Sequence, residues 1–101
     1  MKTTLVRYRT HAERADENEV LVRAVLRQLA EKSPPDLRYA ALRLPDATFY
    51  HLAIVEKEHA RSPLLELPTF RAFQEGIRER CLEAPLLRDA TLLGGYRMVT
   101  G

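Results

Sequence analysis

His51 is the residue whose chemistry stands out in this sequence, because it interrupts the otherwise apolar stretch from Thr48 to Glu56. An unperturbed histidine titrates near pH ~6.5, so its neutral imidazole can take a proton from a phenol near neutral pH. The sequence therefore predicts His51 as a candidate general base. The alternative is a buried histidine whose hydrogen bonds are satisfied and which has no chemical role.

Other side chains could bind a ligand beside that histidine. Arg7, on a predicted strand, could hold a phenolate or carboxylate by charge-assisted hydrogen bonds. It could instead form an ion pair, with Glu56 as the candidate partner. Several aromatic residues could line a pocket, or could pack without touching a ligand. They are Tyr39, Tyr50, Phe70 and Phe73, with Tyr8 and Tyr96 as further tyrosines of the same kind.

The sequence lacks the usual patterns of metal and cofactor sites. Its three histidines, His11, His51 and His59, show neither H-x-H nor H-x-x-x-H spacing, so no metal site is predicted. It contains no P-loop, dinucleotide fingerprint or nucleophile elbow. A single cysteine, Cys81, excludes an internal disulfide. Any reaction is therefore expected to proceed without a cofactor.

Length and composition predict one soluble domain spanning residues 1–101. The hydrophobic fraction of 46% and charged fraction of 30% are ordinary for a globular protein. A net charge of +2 does not favour nucleic acid or an anionic membrane as a partner. No signal peptide is recognisable, and no apolar run approaches the ~20 residues of a membrane span. We therefore expect a cytoplasmic protein.

Hydrophobic periodicity predicts the element order βαββαβ. The predicted strands are Lys2–Thr10, Leu37–Leu44, Thr48–Glu56 and Ala90–Val99, the last containing Gly94-Gly95. The first helix should be capped by Asp16, with Glu19 three residues later, and should end at Ser33-Pro34. The second helix should begin at Pro68 or Thr69. Its buried stripe would consist of Phe70, Phe73, Ile77 and Cys81.

A two-residue turn at Pro45-Asp46 sets the predicted pairing of the second and third strands. This register pairs Ala40 with His51 and places Tyr39 on the opposite face of the sheet. With right-handed crossovers, the fold is α+β and ferredoxin-like, a four-stranded antiparallel sheet with both helices on one face. The other face would expose Tyr39, Tyr50, Leu52 and Ile54. Because a soluble monomer rarely exposes such a patch, a homodimer with sheet against sheet is predicted.

At this point the chain resembles the antibiotic biosynthesis monooxygenase-like family of the dimeric α+β barrel superfamily. The resemblance implies a homodimer whose sheets form a barrel. It also implies a small aromatic or phenolic substrate, because the better-known enzymes of the family oxidise polycyclic aromatic phenols with molecular oxygen and neither metal nor flavin. The matching segments are Leu5-Val-Arg-Tyr-Arg9, the acidic start of the first helix, the strand ending in Val55-Glu56, Pro63-Leu-Leu-Glu-Leu-Pro-Thr-Phe-Arg-Ala-Phe73 and Leu93-Gly-Gly-Tyr-Arg97.

The sequence departs from those enzymes in having no tryptophan, a residue that they typically use in the pocket. The span Glu66–Cys81 also lacks the histidine of haem-degrading relatives, so haem degradation is not expected. Two interpretations remain open. The chain is either a cofactor-independent monooxygenase acting on a phenolic metabolite, or a non-catalytic dimer that binds a small ligand or serves as an accessory protein. An RNA-binding domain of the same element order is not favoured, because the third strand lacks glycine and does not begin with a basic residue.

Overall fold

The computed structural model describes residues 1–57 and 62–98. Its strands are β1 (Lys2–Thr10), β2 (Leu37–Arg43), β3 (Thr48–Val55) and β4 (Cys81–Ala90). They form one antiparallel sheet in the order β2-β3-β1-β4. Its helices are α1 (Ala15–Lys32), α2 (Pro68–Gln74) and α3 (Ile77–Arg80), with 3₁₀ turns at Ala12–Arg14 and Pro63–Glu66. The helices lie on one face of the sheet, so the predicted ferredoxin-like α+β fold is confirmed.

The core lies between this sheet and the helices. Tyr8 of β1 stacks on Phe49 of β3, with ring centroids 5.3 Å apart and an angle of 7° between their planes. Val22 and Val25 of α1 and Phe73 of α2 are buried against them. Burial of these side chains provides the main hydrophobic stabilisation of the fold.

The hairpin between β2 and β3 differs from the predicted one by a single residue. Its loop has three residues, and Ala47, the last of them, adopts a left-handed conformation with φ of 70°. This is the usual conformation of a three-residue hairpin loop. Ala41 therefore pairs with His51 where Ala40 was predicted, and Tyr39 pairs with Ala53. The slip moves Tyr39 to the helix-covered face, so its predicted place on the bare face was wrong.

The fourth strand also lies elsewhere than predicted. Strand β4 consists of Cys81–Ala90, although residues 82–89 were predicted as a connector between the second helix and the last strand, and residues 91–98 are irregular. A proline within the run favours a connector, but β4 is an edge strand, where proline is tolerated. Pro85 lies where the register shifts between the pairs Arg7–Leu86 and Arg9–Glu83. The prediction of a strand over Ala90–Val99 was therefore wrong for residues 91–98, and Val99 lies outside the described residues.

The helix boundaries depart from the sequence pattern at two places. Helix α1 begins at Ala15 with Arg14 in the capping position, so the predicted cap at Asp16 was wrong. The predicted second helix is divided, because Gly76 adopts φ of 73° between α2 and α3. None of the helices in the described ranges has the length and apolar character needed to cross a bilayer. Residues 58–61, which include His59, lie outside those ranges.

The face of the sheet opposite the helices is uncovered in the single chain, and we call it the open face. Its apolar side chains are Leu5, Leu42, Tyr50, Leu52 and Leu86, as the strand register requires. Leu42 is 63% exposed and Leu86 49% exposed. Ile54 lies on the same face but is already buried within the chain. The open face is therefore a largely apolar surface on the outside of the chain, with Arg7 between Tyr50 and Leu86.

Replacing Phe73 by alanine tests the packing of α2 on the sheet. We expect Phe73→Ala to lower the free energy of unfolding by about 3–5 kcal/mol, because the buried ring contacts Tyr8, His51 and Phe70. Urea denaturation measures this loss. Leu82→Ala, at an exposed position, is the control and should cost about 0.5 kcal/mol or less. Equal stability of the two variants would contradict this packing.

Candidate functional site

A cavity of about 500 Å³ lies between the sheet and the segment from the second 3₁₀ turn through α3. We call it the apolar cavity, because its walls are mostly aliphatic and aromatic. Four of the residues predicted for the site contribute to its walls, namely His51, Tyr39, Phe70 and Phe73. Tyr8 of β1 is a fifth wall residue. The sheet and α2 therefore bring these side chains together around one space.

Arg7 and Tyr50 lie on the open face instead, away from the apolar cavity. Arg7 Nη1 donates to Glu83 Oε1 at 2.8 Å, and this ion pair is part of the sheet surface. The predicted ion-pair partner, Glu56, was wrong, since Glu56 contacts Arg38. A hydrogen bond with Glu83 and one with Tyr50 raise the pKa of the Arg7 guanidinium. Within the single chain neither Arg7 nor Tyr50 can contact a ligand bound among the other four residues.

A chain of buried hydrogen bonds runs from α3 to the wall of the apolar cavity, and we call it the buried relay. It consists of Arg80, Asn18, Tyr8, His51 and Tyr39. Arg80 Nε donates to Asn18 Oδ1 at 3.0 Å, and Asn18 Nδ2 donates to Tyr8 Oη at 2.8 Å. Tyr8 Oη lies 2.8 Å from His51 Nε2, and Tyr39 Oη is hydrogen-bonded to His51 Nδ1. Both ring nitrogens of His51 are therefore occupied.

Arg80 is only 2% exposed, although it carries a formal charge. Its remaining side-chain hydrogen bonds are to the backbone carbonyls of Glu75, at 2.9 Å, and Phe73, at 2.6 Å. Within the described ranges its hydrogen bonds thus go to one amide oxygen and two carbonyls, and no carboxylate forms an ion pair with it. The guanidinium is satisfied, but its charge is not neutralised by a contacting anion.

Burial controls the protonation of the relay. It lowers the pKa of His51 from 6.5 to about 4, so the ring is neutral at pH 7. Burial also raises the pKa of Tyr8 and of Tyr39. Both tyrosines are therefore neutral hydrogen-bonding groups in the free protein, and His51 is a weaker base than an ordinary histidine.

Tyr39 occupies a distinctive position at the end of the relay. It borders the apolar cavity and also a second cleft of about 420 Å³ between the carboxyl end of α1 and β2. Its side chain therefore forms part of the partition between the two spaces. Tyr96, the last of the candidate tyrosines, is 79% exposed in the irregular segment after β4.

Asn18 and Arg80 were not among the residues predicted for the site. A buried asparagine on the helix face that otherwise carries Val22 and Val25 could have been suspected, because Asn18 precedes Val22 by four residues. No sequence signal distinguishes Arg80 from the many exposed arginines of the chain. Among the described residues, no group of three or more His, Cys, Asp or Glu side chains is arranged to hold a metal ion.

The lowered pKa of His51 predicts a specific loss of stability in acid. Its pKa is 6.5 in the unfolded chain and about 4 when folded, so the unfolded state binds the proton first as pH falls. The free energy of unfolding should therefore decrease by about 3 kcal/mol between pH 6.5 and 4, and be unaffected by this group above pH 7. Denaturation at a series of pH values measures the slope.

Carboxyl groups also change the free energy of unfolding in this pH range. The contribution of His51 is therefore measured by comparing the pH dependence of variants. His51→Gln should remove the part of the slope that belongs to His51, whereas His11→Gln should leave it unchanged. An NMR titration in which the ring of His51 becomes protonated near pH 6.5 in the folded protein would contradict the prediction.

Comparisons with known proteins find the same fold. No protein-family model and no curated protein matches the sequence. A candidate antibiotic biosynthesis monooxygenase from Bacteroides thetaiotaomicron is similar in structure, with TM-score 0.75 and 21% identity over 91% of this chain and 89% of that one. A protein so named from Nitrosomonas europaea gives TM-score 0.76 and 13% identity over 93% and 100% of the two chains. The resemblance inferred from the sequence is thus supported by structure, and the chain has the fold of the antibiotic biosynthesis monooxygenase-like proteins.

Proposed function

We propose that this protein is a cofactor-independent monooxygenase that acts on a small aromatic phenol bound in the apolar cavity. The observation that carries the proposal is the placement of a Tyr39–His51 pair in a mostly apolar wall. Buried polar groups that converge on an apolar space are typical of small-molecule sites. The structurally similar proteins named as monooxygenases support the reaction class.

The dimensions and walls of the apolar cavity suit an aromatic ring. A volume of about 500 Å³ lies within the ~300–1,000 Å³ common for ligand pockets. Phe70 and Phe73 have ring centroids 5.9 Å apart and offer aromatic surfaces against which a ligand ring can stack. The phenolic oxygen would then be placed at Tyr39, where the wall is polar.

The proposed reaction needs no reductant. A phenol with a hydrogen at the position that is oxidised can react with one molecule of oxygen to give a quinone and one molecule of water. One oxygen atom enters the ring and the other leaves in water with two hydrogens of the substrate. The substrate supplies all four electrons that reduce the oxygen molecule. Ionisation of the phenol makes it electron-rich, and we assign to His51 and Tyr39 the task of promoting that ionisation.

Binding without catalysis is the second candidate function. It is favoured by one observation, the lowered pKa of about 4 for His51, which makes the ring a weak proton acceptor. In that case the same cavity would hold a phenolic ligand through Tyr39 and leave it chemically unchanged. Consumption of oxygen distinguishes the two functions.

We also propose that two chains associate through their open faces as a homodimer. The apolar side chains of this face are uncovered in the single chain, and Leu5 and Leu52 are cross-strand neighbours near its middle. Burial of apolar surface contributes roughly 25 cal/mol per Å², so pairing of two such faces would be favourable. Arg7 and Glu83 form an ion pair on the same face, so the dimer contact would include charges.

An oxygen electrode tests the proposed reaction. Purified protein should consume one molecule of oxygen for each phenol that is converted to the quinone. We expect His51→Ala and Tyr39→Phe each to lower the rate by about 100-fold, because the pair no longer promotes ionisation of the substrate. His11→Ala and Tyr96→Phe are the matched controls and should retain the full rate. If the protein binds the ligand but consumes no oxygen, the proposed enzymatic function is refuted and binding without catalysis is the remaining function.

Sedimentation tests the dimer. The protein should sediment as a dimer at micromolar concentration, and Leu5→Glu should convert it to a folded monomer, because the carboxylate would otherwise be buried in the contact. Val20→Glu, at an exposed position of α1, should leave the dimer intact. A monomeric wild-type protein under these conditions would contradict the proposal.

A further inference from the structure

The hydrogens of the buried relay can be assigned from its Arg80 end. A guanidinium donates hydrogen bonds and accepts none, so the atom of Asn18 that receives Arg80 Nε must be the amide oxygen. The amide nitrogen of Asn18 therefore faces Tyr8 and donates to its hydroxyl oxygen at 2.8 Å. The charged end of the relay thus decides which atom of the Asn18 amide is oxygen and which is nitrogen, an assignment that is usually ambiguous.

This assignment fixes the next two hydrogens. Tyr8 is fully buried, and its oxygen already accepts from Asn18. Its own hydrogen can be satisfied by His51 Nε2, which lies 2.8 Å away. Nε2 is then an acceptor, so the neutral imidazole carries its hydrogen on Nδ1 and donates it to Tyr39 Oη.

The opposite order of hydrogens is disfavoured. If Nε2 donated to Tyr8, the hydroxyl of Tyr8 would accept two hydrogen bonds. Its own hydrogen would then have no acceptor among the described residues. An unsatisfied donor in a buried site is costly. Hydrogen bonds are therefore donated in one favoured direction along the relay, each residue donating to the next from Arg80 to Tyr39.

We propose that this one-way order makes Tyr39 a hydrogen-bond donor to the apolar cavity, so that the site takes its ligand through an accepting oxygen. A phenolate or a quinone carbonyl meets this requirement. A neutral phenol that donated to Tyr39 Oη would add a second hydrogen bond to an oxygen that already accepts from His51, and the hydrogen of Tyr39 would not be used by the ligand. The inference rests on the proposed binding of phenols and adds the ionisation state in which they are held. Arg80 and Asn18 are positioning residues, since neither lines the cavity.

Few other charged groups influence the same point. Lys2 is the charged side chain in the described part of the cavity wall, and it also favours an anionic ligand. Cys81 lies near Tyr8, and burial raises the pKa of its thiol. From α2 the ring of Phe73 packs against His51, with ring centroids 5.3 Å apart, and Phe70 and Gln74 also line the cavity. The contribution of Lys2 must therefore be separated from that of the relay.

The tautomer of His51 tests the order of hydrogens in the free protein. Nitrogen-15 spectra should show hydrogen on Nδ1 in the wild type and on Nε2 in Asn18→Asp. The reason is that the new carboxylate accepts from both Arg80 and Tyr8, which turns the hydrogen of Tyr8 away from His51. Hydrogen on Nε2 in the wild type, or an unchanged tautomer in the folded variant, overturns the proposal. If Asn18→Asp does not fold, the wild-type spectrum still decides the order.

Nitrophenol, whose ionised form is yellow, tests the ligand preference. At a pH below its own pKa, it should turn yellow on binding and bind about tenfold more tightly than nitroanisole, its methyl ether. Tyr39→Phe should abolish the colour change while keeping hydrogen on Nδ1 of His51, whereas Lys2→Met should retain most of the change. Asn18→Asp should bind nitrophenol in its colourless form.

Equal binding of nitrophenol and nitroanisole, colourless binding to the wild type, or no binding at all would overturn the inferred preference. A yellow complex in a protein that consumes no oxygen would refute the proposed monooxygenase and leave this inference standing. The tautomer, the colour and the oxygen consumption thus separate the two proposals.

Discussion

Burial of the Arg80 guanidinium is the constraint on which the site depends. A charged group at 2% exposure must have its donors satisfied, and here the acceptors come from three directions. The carbonyls of Phe73 and Glu75 are available because α2 ends at Gln74 and the chain turns at Gly76. The side chain of Asn18 supplies the remaining acceptor from α1. One side chain thus holds both helices against each other and sets the direction of the hydrogen bonds that reach the cavity.

The general architecture was predictable from the sequence, because long apolar patterns determine it. The strand Lys2–Thr10, the end of α1 and the two-sided apolar strand around His51 all follow from periodicity and from Pro34. The errors arose where one residue decides the outcome. A left-handed Ala47 shifted the hairpin, a left-handed Gly76 divided the second helix, and a register shift near Pro85 let an edge strand form. Such local conformations leave no periodic signal in a single sequence.

The site was predictable in part for the same reason. His51 and the two phenylalanines could be identified because a polar residue in an apolar strand and an aromatic helix stripe are visible patterns. Tyr39 was identified but assigned to the opposite face, because a shift of one residue in the hairpin register moves its side chain from one face of the sheet to the other. The contacts among Arg80, Asn18 and Tyr8 join residues up to 72 positions apart in the sequence, from Tyr8 to Arg80. Only the folded chain brings them together.

The register shift at Pro85 also affects how the sheet meets other molecules. Strand β4 is an edge of the sheet, and a free edge can template the addition of a strand from another chain. A proline that lacks an N–H group, together with the shift in register beside it, interrupts the row of backbone donors along that edge. The interruption makes β4 a poorer template for such an added strand, whereas β2, the other edge strand, contains no proline.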